Sequence, residues 1–216
     1  MPSRTVLIAT QSAEVALALA RALAEAAYEV RTVEGPGEAG EELAGCALID
    51  WDMGEAFGRA MLSRIGSLGG IPAIILTSAA NRRSALQALK DGAADLLEHP
   101  ADPDELFAAI EQAMARAAHS LKLAQDIEKA SRILLTLSQR EQLIVMGIVA
   151  GLTSREIAEA VAVSVRSVET SRTRLLGKLG VPNSAGLVRL AILGGLVPPS
   201  AALPGRSPEG RAGVSR

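Results

Sequence analysis

The chain is poor in the residues from which compact reactive sites are most often made. Among its 216 residues are one Cys, one Trp, one Tyr and two Phe. The single cysteine, Cys46, excludes an internal disulfide, and its place inside an apolar run reads as a packing residue. With aromatics at 2%, any core must be built from Ala, Leu, Ile and Val. Long apolar runs are also missing, so no segment is suited to span a bilayer. The opening VLIA is too short for the apolar part of a secretion signal, and Glu14 and Arg21 interrupt the apolar residues after it. These absences point to a cytoplasmic protein with no membrane contact.

Apolar residues make up 49% of the chain, which excludes disorder as a whole, and the length allows one large domain or two small ones. Charge favours two. Residues 1–118 hold nine Lys and Arg against 17 Asp and Glu, whereas residues 138–197 hold seven against four. Only the second, basic part suits a nucleic acid.

In the acidic part, short apolar runs alternate with helical spacing. TVLIA (5–9), YEVRTV (28–33), CALID (46–50), PAIILT (72–77) and ADLLE (94–98) are the strand candidates. The helical pattern is clearest in EVALALARALAEAA (14–27). Five βα units predict an α/β domain, a five-stranded doubly wound parallel sheet over residues 1–118. Sites in such sheets lie at the carboxyl ends of the strands. That edge collects Asp50, Thr10, Gln11, Thr77 and His99. A long helix is expected from DPDE at 102–105 to about Leu137, with residues 119–137 as a helical linker able to pair with a second copy.

The basic part predicts an all-α domain of four helices. Ser138 with Glu141 and Thr153 with Glu156 are spaced as capping boxes, Gly151 stops the first helix, and Ser164 caps the third, which runs to about Leu179. The fourth spans about 184–194, and the Pro, Gly and Ser of 198–216 predict a disordered tail. On the third helix Val165, Val168, Leu175, Leu176 and Leu179 gather on one face. Arg166, Thr170, Thr173 and Arg174 lie opposite, with Ser167, Glu169 and Lys178 nearby. Such a helix can enter a major groove, where Arg favours guanine, Glu accepts from cytosine and Thr serves several edges or phosphates.

Residues 137–197 closely resemble the LuxR/FixJ/NarL class of DNA-binding domains. The matching elements are LSQRE, AGLTSREIA, VSVRSVE, KLGV and LVRLA. The resemblance implies a third helix that reads double-stranded DNA and a fourth that dimerises, making Leu187, Leu190 and Ala191 contact candidates of a homodimer. Ser171 stands where that class usually has His.

The acidic part looks like a response-regulator receiver domain. CALIDWDM matches the phosphoacceptor strand, IPAIILTSAA the strand ending in the switch Thr, and DGAADLLEHP the last strand and its exit. By this resemblance Asp50 takes the phosphoacceptor position and Thr77 the switch position. An aspartyl phosphate concentrates negative charge and needs Mg²⁺ and a fixed cation beside it. Receivers supply an acidic pair after the first strand, a Lys before the last Pro and an aromatic near it. Here those places hold Thr10 and Gln11, His99 and Leu96. Gly54 replaces the Pro that usually follows the acceptor motif.

The expectation is therefore a degenerate receiver with no catalytic residue, metal or cofactor, in which Asp50 is hydrogen-bonded to Thr10, Thr77 or His99. An Asp50–His99 ion pair would make it pH-responsive. Asp52, Glu14 and Glu55 are the carboxylates that would have to rebuild a cation site. The leading function is a phosphorylation-independent transcription regulator, whose partners are DNA, a second copy and a regulatory protein. The alternatives are a regulator phosphorylated at Asp50 by a histidine kinase, a protein-binding adaptor, and a phosphatase. LIDWD fits the DxD signature of haloacid-dehalogenase-type phosphatases, but that signature usually closes a first strand, and two βα units precede it here.

Overall fold

Alternation is what fixes the sheet. In β1 (Thr5–Ala9), Val6 and Ile8 enter one apolar layer, and Leu7 and Ala9 enter the other. That is the period of two expected of a strand buried on both faces. The computed structural model describes residues 4–40 and 45–198. It pairs β1 with β2 (Glu29–Val33) and β3 (Gly45–Asp50), followed by β4 (Ala73–Thr77) and β5 (Asp95–Glu98). All pairs are parallel, in the order β2-β1-β3-β4-β5. This is the expected five-stranded sheet.

Helices cover both faces. On one, α1 (Ala13–Glu25) contributes Leu19 and Leu23, and the start of α4 (Pro103–Leu134) contributes Leu106, Ala109, Ile110 and Ala113. On the other, α2 (Glu55–Ser67) contributes Met61, Leu62 and Ile65, and α3 (Arg82–Lys90) contributes Ala85 and Ala88. Cys46 is buried in the sheet as expected, and burial pushes its thiol up to about 12. One expectation fails. Between β2 and β3 the described residues form only a three-residue 3-10 turn, Pro36–Glu38, rather than a helix. Two Gly and a Pro in GPG disfavour helix there.

The chain divides into two compact units, one up to Lys122 and one from Leu123, so the division falls inside α4. The second unit contains α5 (Gln139–Val149), α6 (Ser154–Ala160), α7 (Val165–Leu179) and α8 (Ser184–Leu193). Both expected capping boxes are closed, Ser138 with Glu141 and Thr153 with Glu156, and Ser164 caps α7 through the Ser167 N–H. Each such cap is worth about 1 kcal/mol.

The expected linker is not uniform. Residues 118–129 of α4 are exposed, but Ala130, Leu134 and Leu137 are buried in the second unit. Leu134 and Leu137 belong to its core together with Ile144, Val145, Val168 and Leu187. The linker thus ends near Lys129, and its last turns are part of the helical unit. The tail at 199–216 lies outside the described residues. Among those residues no helix is long and apolar enough to cross a membrane.

The contact between α4 and the end of α8 is close enough to be tested. A Cβ on Gly194 would lie 2.4 Å from Leu134 Cδ1 and 3.0 Å from the Ala130 carbonyl carbon. Gly194→Ala is therefore expected to cost about 1–3 kcal/mol as overpacking. Urea unfolding followed by circular dichroism measures it, with an unchanged midpoint as the contrary result.

Candidate functional site

Asp50 closes β3 and is buried, at 5% exposure. A carboxylate in that position must find donors in the chain. The Thr10 hydroxyl, just beyond β1, donates to Asp50 Oδ2 at 2.7 Å and accepts from the Ser12 N–H at 3.0 Å. The Asp52 N–H donates to Asp50 Oδ1 at 3.0 Å, so Asp50 caps a short 3-10 turn, Trp51–Met53. Gly54 follows at φ 108°, a backbone conformation that glycine adopts without strain.

That turn aims two side chains across to the loop after β4. Asp52 Oδ1 accepts from Thr77 Oγ1 at 3.3 Å, the Ser78 N–H at 3.1 Å and Asn81 Nδ2 at 2.9 Å. Asp52 Oδ2 also accepts from the Ser78 N–H, at 2.9 Å. Burial by itself would raise the Asp52 carboxyl. The bonds from Asn81, Ser78 and Thr77 outweigh it and hold the group below the usual range. The buried indole of Trp51 donates from Nε1 to Ser84 Oγ at 3.1 Å. Its ring lies so close to Gly58 that a Cβ there would sit 2.3 Å from it.

The predicted residues separate accordingly. Thr10 binds Asp50 directly, while Thr77 is bound to Asp52 instead. Gln11 turns away, donating to the Glu34 carbonyl at 3.2 Å. Leu96 packs against the apolar layer beneath α2 and α3. The His99 N–H pairs with the Thr77 carbonyl at 2.9 Å, but its Nδ1 is buried without a partner, and no Asp50–His99 ion pair occurs among the described residues. Sequence reasoning missed the role of Asp52 because its partners are 25 to 29 residues away.

The donor set suits a divalent cation poorly. Thr10 and Gln11 carry no charge, Glu55 is paired with Arg59 at 2.8 Å, and Asp52 is already engaged by Thr77, Ser78 and Asn81. Among the described residues no group of three or more acidic, His or Cys side chains could hold a metal.

In the second unit, α6 and α7 meet through a tight turn in which Ala162 has φ 53°. On α7, Val168, Leu175 and Leu179 are buried, whereas Val165 is 41% exposed at its first turn and does not join the packed face. The outer face combines with the start of α5 into a groove of about 560 Å³, whose walls include Arg140, Arg166, Thr170, Ser171 and Arg174. None of these three guanidinium groups has an ion pair among the described residues. Thr170 and Thr173 donate to the Arg166 and Glu169 carbonyls, at 2.9 and 3.4 Å, which leaves their oxygens outward as acceptors. Arg140 escaped sequence reasoning because it lies 26 residues before Arg166, although its place at the start of a helix beside the capping box was visible.

Two sets of predicted contact residues are displaced. Lys178 Nζ bonds Glu141 Oε2 at 2.7 Å, joining the end of α7 to the capping box of α5. Its ammonium therefore also ties two helices together, although the residue remains exposed. Ser167 likewise bonds to the cap residue Ser164. On α8, Leu187 and Ala191 are buried in the core of their own unit, which withdraws them from a dimer surface, while Leu190 is half-buried and packs partly against that core. The exposed side of α8 carries Ala185, Arg189 and Ile192, with Val188 half-buried beside them.

Comparison with known proteins agrees with this division. Residues 6–111 match the family described as response regulator receiver domain, and residues 135–191 match bacterial regulatory proteins, luxR family. The transcriptional regulatory protein FixJ of Rhizobium meliloti is 33% identical over 158 residues, covering 71% of this chain and 76% of the relative. FixJ of Bradyrhizobium diazoefficiens is 35% identical over 157 residues, covering 71% and 75%. Among solved structures, the response regulator StyR aligns at TM-score 0.69 with 25% identity over 87% of this chain and 98% of that one. Full-length FixJ from B. japonicum aligns at 0.54 with 28% identity, over 89% and 97%.

The Glu141–Lys178 pair gives the helical unit an acid-sensitive tie. The Lys178 ammonium, then the Ser138 N–H and hydroxyl, lower the Glu141 carboxyl from the usual 4.5 to about 2, against the opposing effect of burial. With the folded value below the unfolded one, the unfolded state binds more protons in between. The stabilisation is complete above about pH 4.5 and is lost as pH falls toward 2. Lys178→Met is expected to flatten that part of the stability–pH curve, measured by thermal unfolding between pH 2 and 6. An unchanged slope would refute the tie.

Proposed function

Because this chain belongs to the response-regulator transcription factors, which join a receiver domain to a LuxR-type DNA-binding domain, we propose that it is a sequence-specific, dimeric, cytoplasmic DNA-binding regulator whose receiver acts without phosphorylation of Asp50. DNA binding is supported above all by the groove between α5 and α7. Three guanidinium groups line it without an ion pair among the described residues, Arg140 from α5 and Arg166 and Arg174 from α7, a helix packed on one side and polar on the other. Arg166 and Arg174, with Thr170, Thr173 and Glu169, are the candidates for base edges and phosphates. Arg140 is a candidate phosphate contact from α5. Dimer contact is assigned to Ala185, Val188 and Ile192 on α8 in place of Leu187 and Ala191.

Phosphorylation independence is supported by the hydrogen bond from Thr10 to Asp50. A neutral hydroxyl stands where the charge balance of an aspartyl phosphate calls for an acid that can recruit a dication. The neighbouring Asp52 adds negative charge rather than removing it. The same carboxylate argues against the DxD phosphatase alternative. A general acid must carry a proton to give, and the bonds to Asp52 favour its ionised form.

Selection from randomised duplexes is expected to return a preferred site with two related half-sites. On that site Arg174→Ala should weaken binding about ten- to hundredfold. Affinity should also fall steeply with salt. Selection without enrichment would favour a protein-binding adaptor.

For the receiver, Asp50→Asn should leave affinity for the selected duplex within about twofold, and Mg²⁺ with beryllofluoride should not bind, as followed by Trp51 fluorescence and calorimetry. Tight beryllofluoride binding would instead support a regulator phosphorylated by a histidine kinase.

A further inference from the structure

The loop after β4 is held mainly by polar ties to the turn after β3. Ala79, Ala80 and Asn81 are exposed and Ser78 is only half-buried, so this turn of small side chains contributes little packing of its own. It is nevertheless tied at every polar group facing β3. The Asp52 carboxylate takes the Thr77 hydroxyl, the Ser78 N–H and the Asn81 amide. A second tie runs from the Trp51 indole to Ser84 Oγ, which in turn donates to the Asn81 carbonyl at 2.9 Å. Both originate in the turn that Asp50 caps. The α3 helix begins directly after the loop, at Arg82, and carries the exposed Leu86 and Leu89.

Three donors from the end of β4 and the loop after it converging on one anion would ordinarily mark a place for an anionic ligand. Here the anion is part of the chain. Hydrogen bonds to a charged acceptor are roughly twice as strong as neutral ones. A neutral residue at position 52 would leave the Ser78 N–H and Asn81 amide without that acceptor.

We propose that Asp52 is a resident anion for the Thr77–Asn81 segment. Its carboxylate holds the loop and the start of α3 in one conformation whether or not Asp50 carries any group. This rests on the phosphorylation-independent reading and names the side chain that stands in for the absent modification. The receiver surface formed by α3 is then set by the fold itself.

The test uses the full chain and compares Asp52→Ala, Asp52→Asn and Asp50→Asn. Amide exchange at Ser78 through Asn81 is expected to accelerate at least tenfold in Asp52→Ala and by less in Asp52→Asn, which keeps the side-chain size. In Asp50→Asn, whose side-chain oxygen can still accept from the Asp52 N–H and keep the cap, it should stay within about threefold of the wild type. Affinity for the selected duplex should fall at least fivefold in both Asp52 variants and not in Asp50→Asn. Circular dichroism establishes that each variant is folded, and the Asn variant serves if the Ala variant is not. Ser78 exchange equal to wild type in a folded Asp52 variant would overturn the proposal, as would an Asp50→Asn effect as large as that of Asp52→Ala. Beryllofluoride binding by the wild-type chain would sink phosphorylation independence alone, and is scored separately from Ser78 exchange.

Discussion

A buried carboxylate has to be satisfied, and the acidic unit is organised around that need at Asp50. The strand that delivers it is buried from Cys46 to Asp50, so the carboxylate draws its bonds from the chain. Thr10 answers one oxygen and the Asp52 N–H the other. The second bond closes the 3-10 turn, and the turn orients Asp52 and Trp51 toward the loop after β4. One strand-end acid thereby determines, through backbone geometry, where the next acid and the only tryptophan point. The Trp51 ring in turn requires Gly58 on α2, because any larger residue there would occupy the space of the indole.

The charge balance of this edge is what favours the proposed structural role over phosphoryl transfer. Asp50 and Asp52 are both present, and each is neutralised by dipoles rather than by cations: hydroxyls, backbone N–H groups and a side-chain amide. Dipoles of that kind favour the ionised form of Asp52. Adding a dianionic group to Asp50 would increase the charge without adding a counter-charge, since Thr10 and Gln11 are neutral and the imidazole Nδ1 of His99 has no bond to the cluster. Such an edge is already balanced as it stands.

How much of this was legible in the sequence depended on range. Strand positions were readable because burial on two faces imposes a local period, and both capping boxes because their partners lie three residues apart. The region between β2 and β3 was misread as a helical unit although Gly35, Pro36 and Gly37 already weighed against helix. On α8, SAGLVRLAIL is apolar on several sides, so periodicity could not tell the face that enters the core, with Leu187 and Ala191, from the one that stays outside, with Ile192. Lys178 was misplaced for another reason. Its partner Glu141 is 37 residues away, and nothing local distinguishes a lysine that ties two helices from one that meets a phosphate.

The second unit combines rigidity with unpaired charge. Its capping boxes, the Glu141–Lys178 tie and the last turns of α4 all fix backbone, and among the described residues they leave the arginines of the groove without an ion pair. That division of labour is what recognition of a duplex requires. A guanidinium already bonded to a carboxylate would have to break that bond before meeting a base edge or phosphate, whereas a helix not fixed in its frame would lose its register in the groove. Lys178 and Arg174, four residues apart on one helix, embody the two halves. The lysine is bound to Glu141 and holds α7 against α5, and the arginine, with no ion pair among the described residues, is the one proposed to meet DNA.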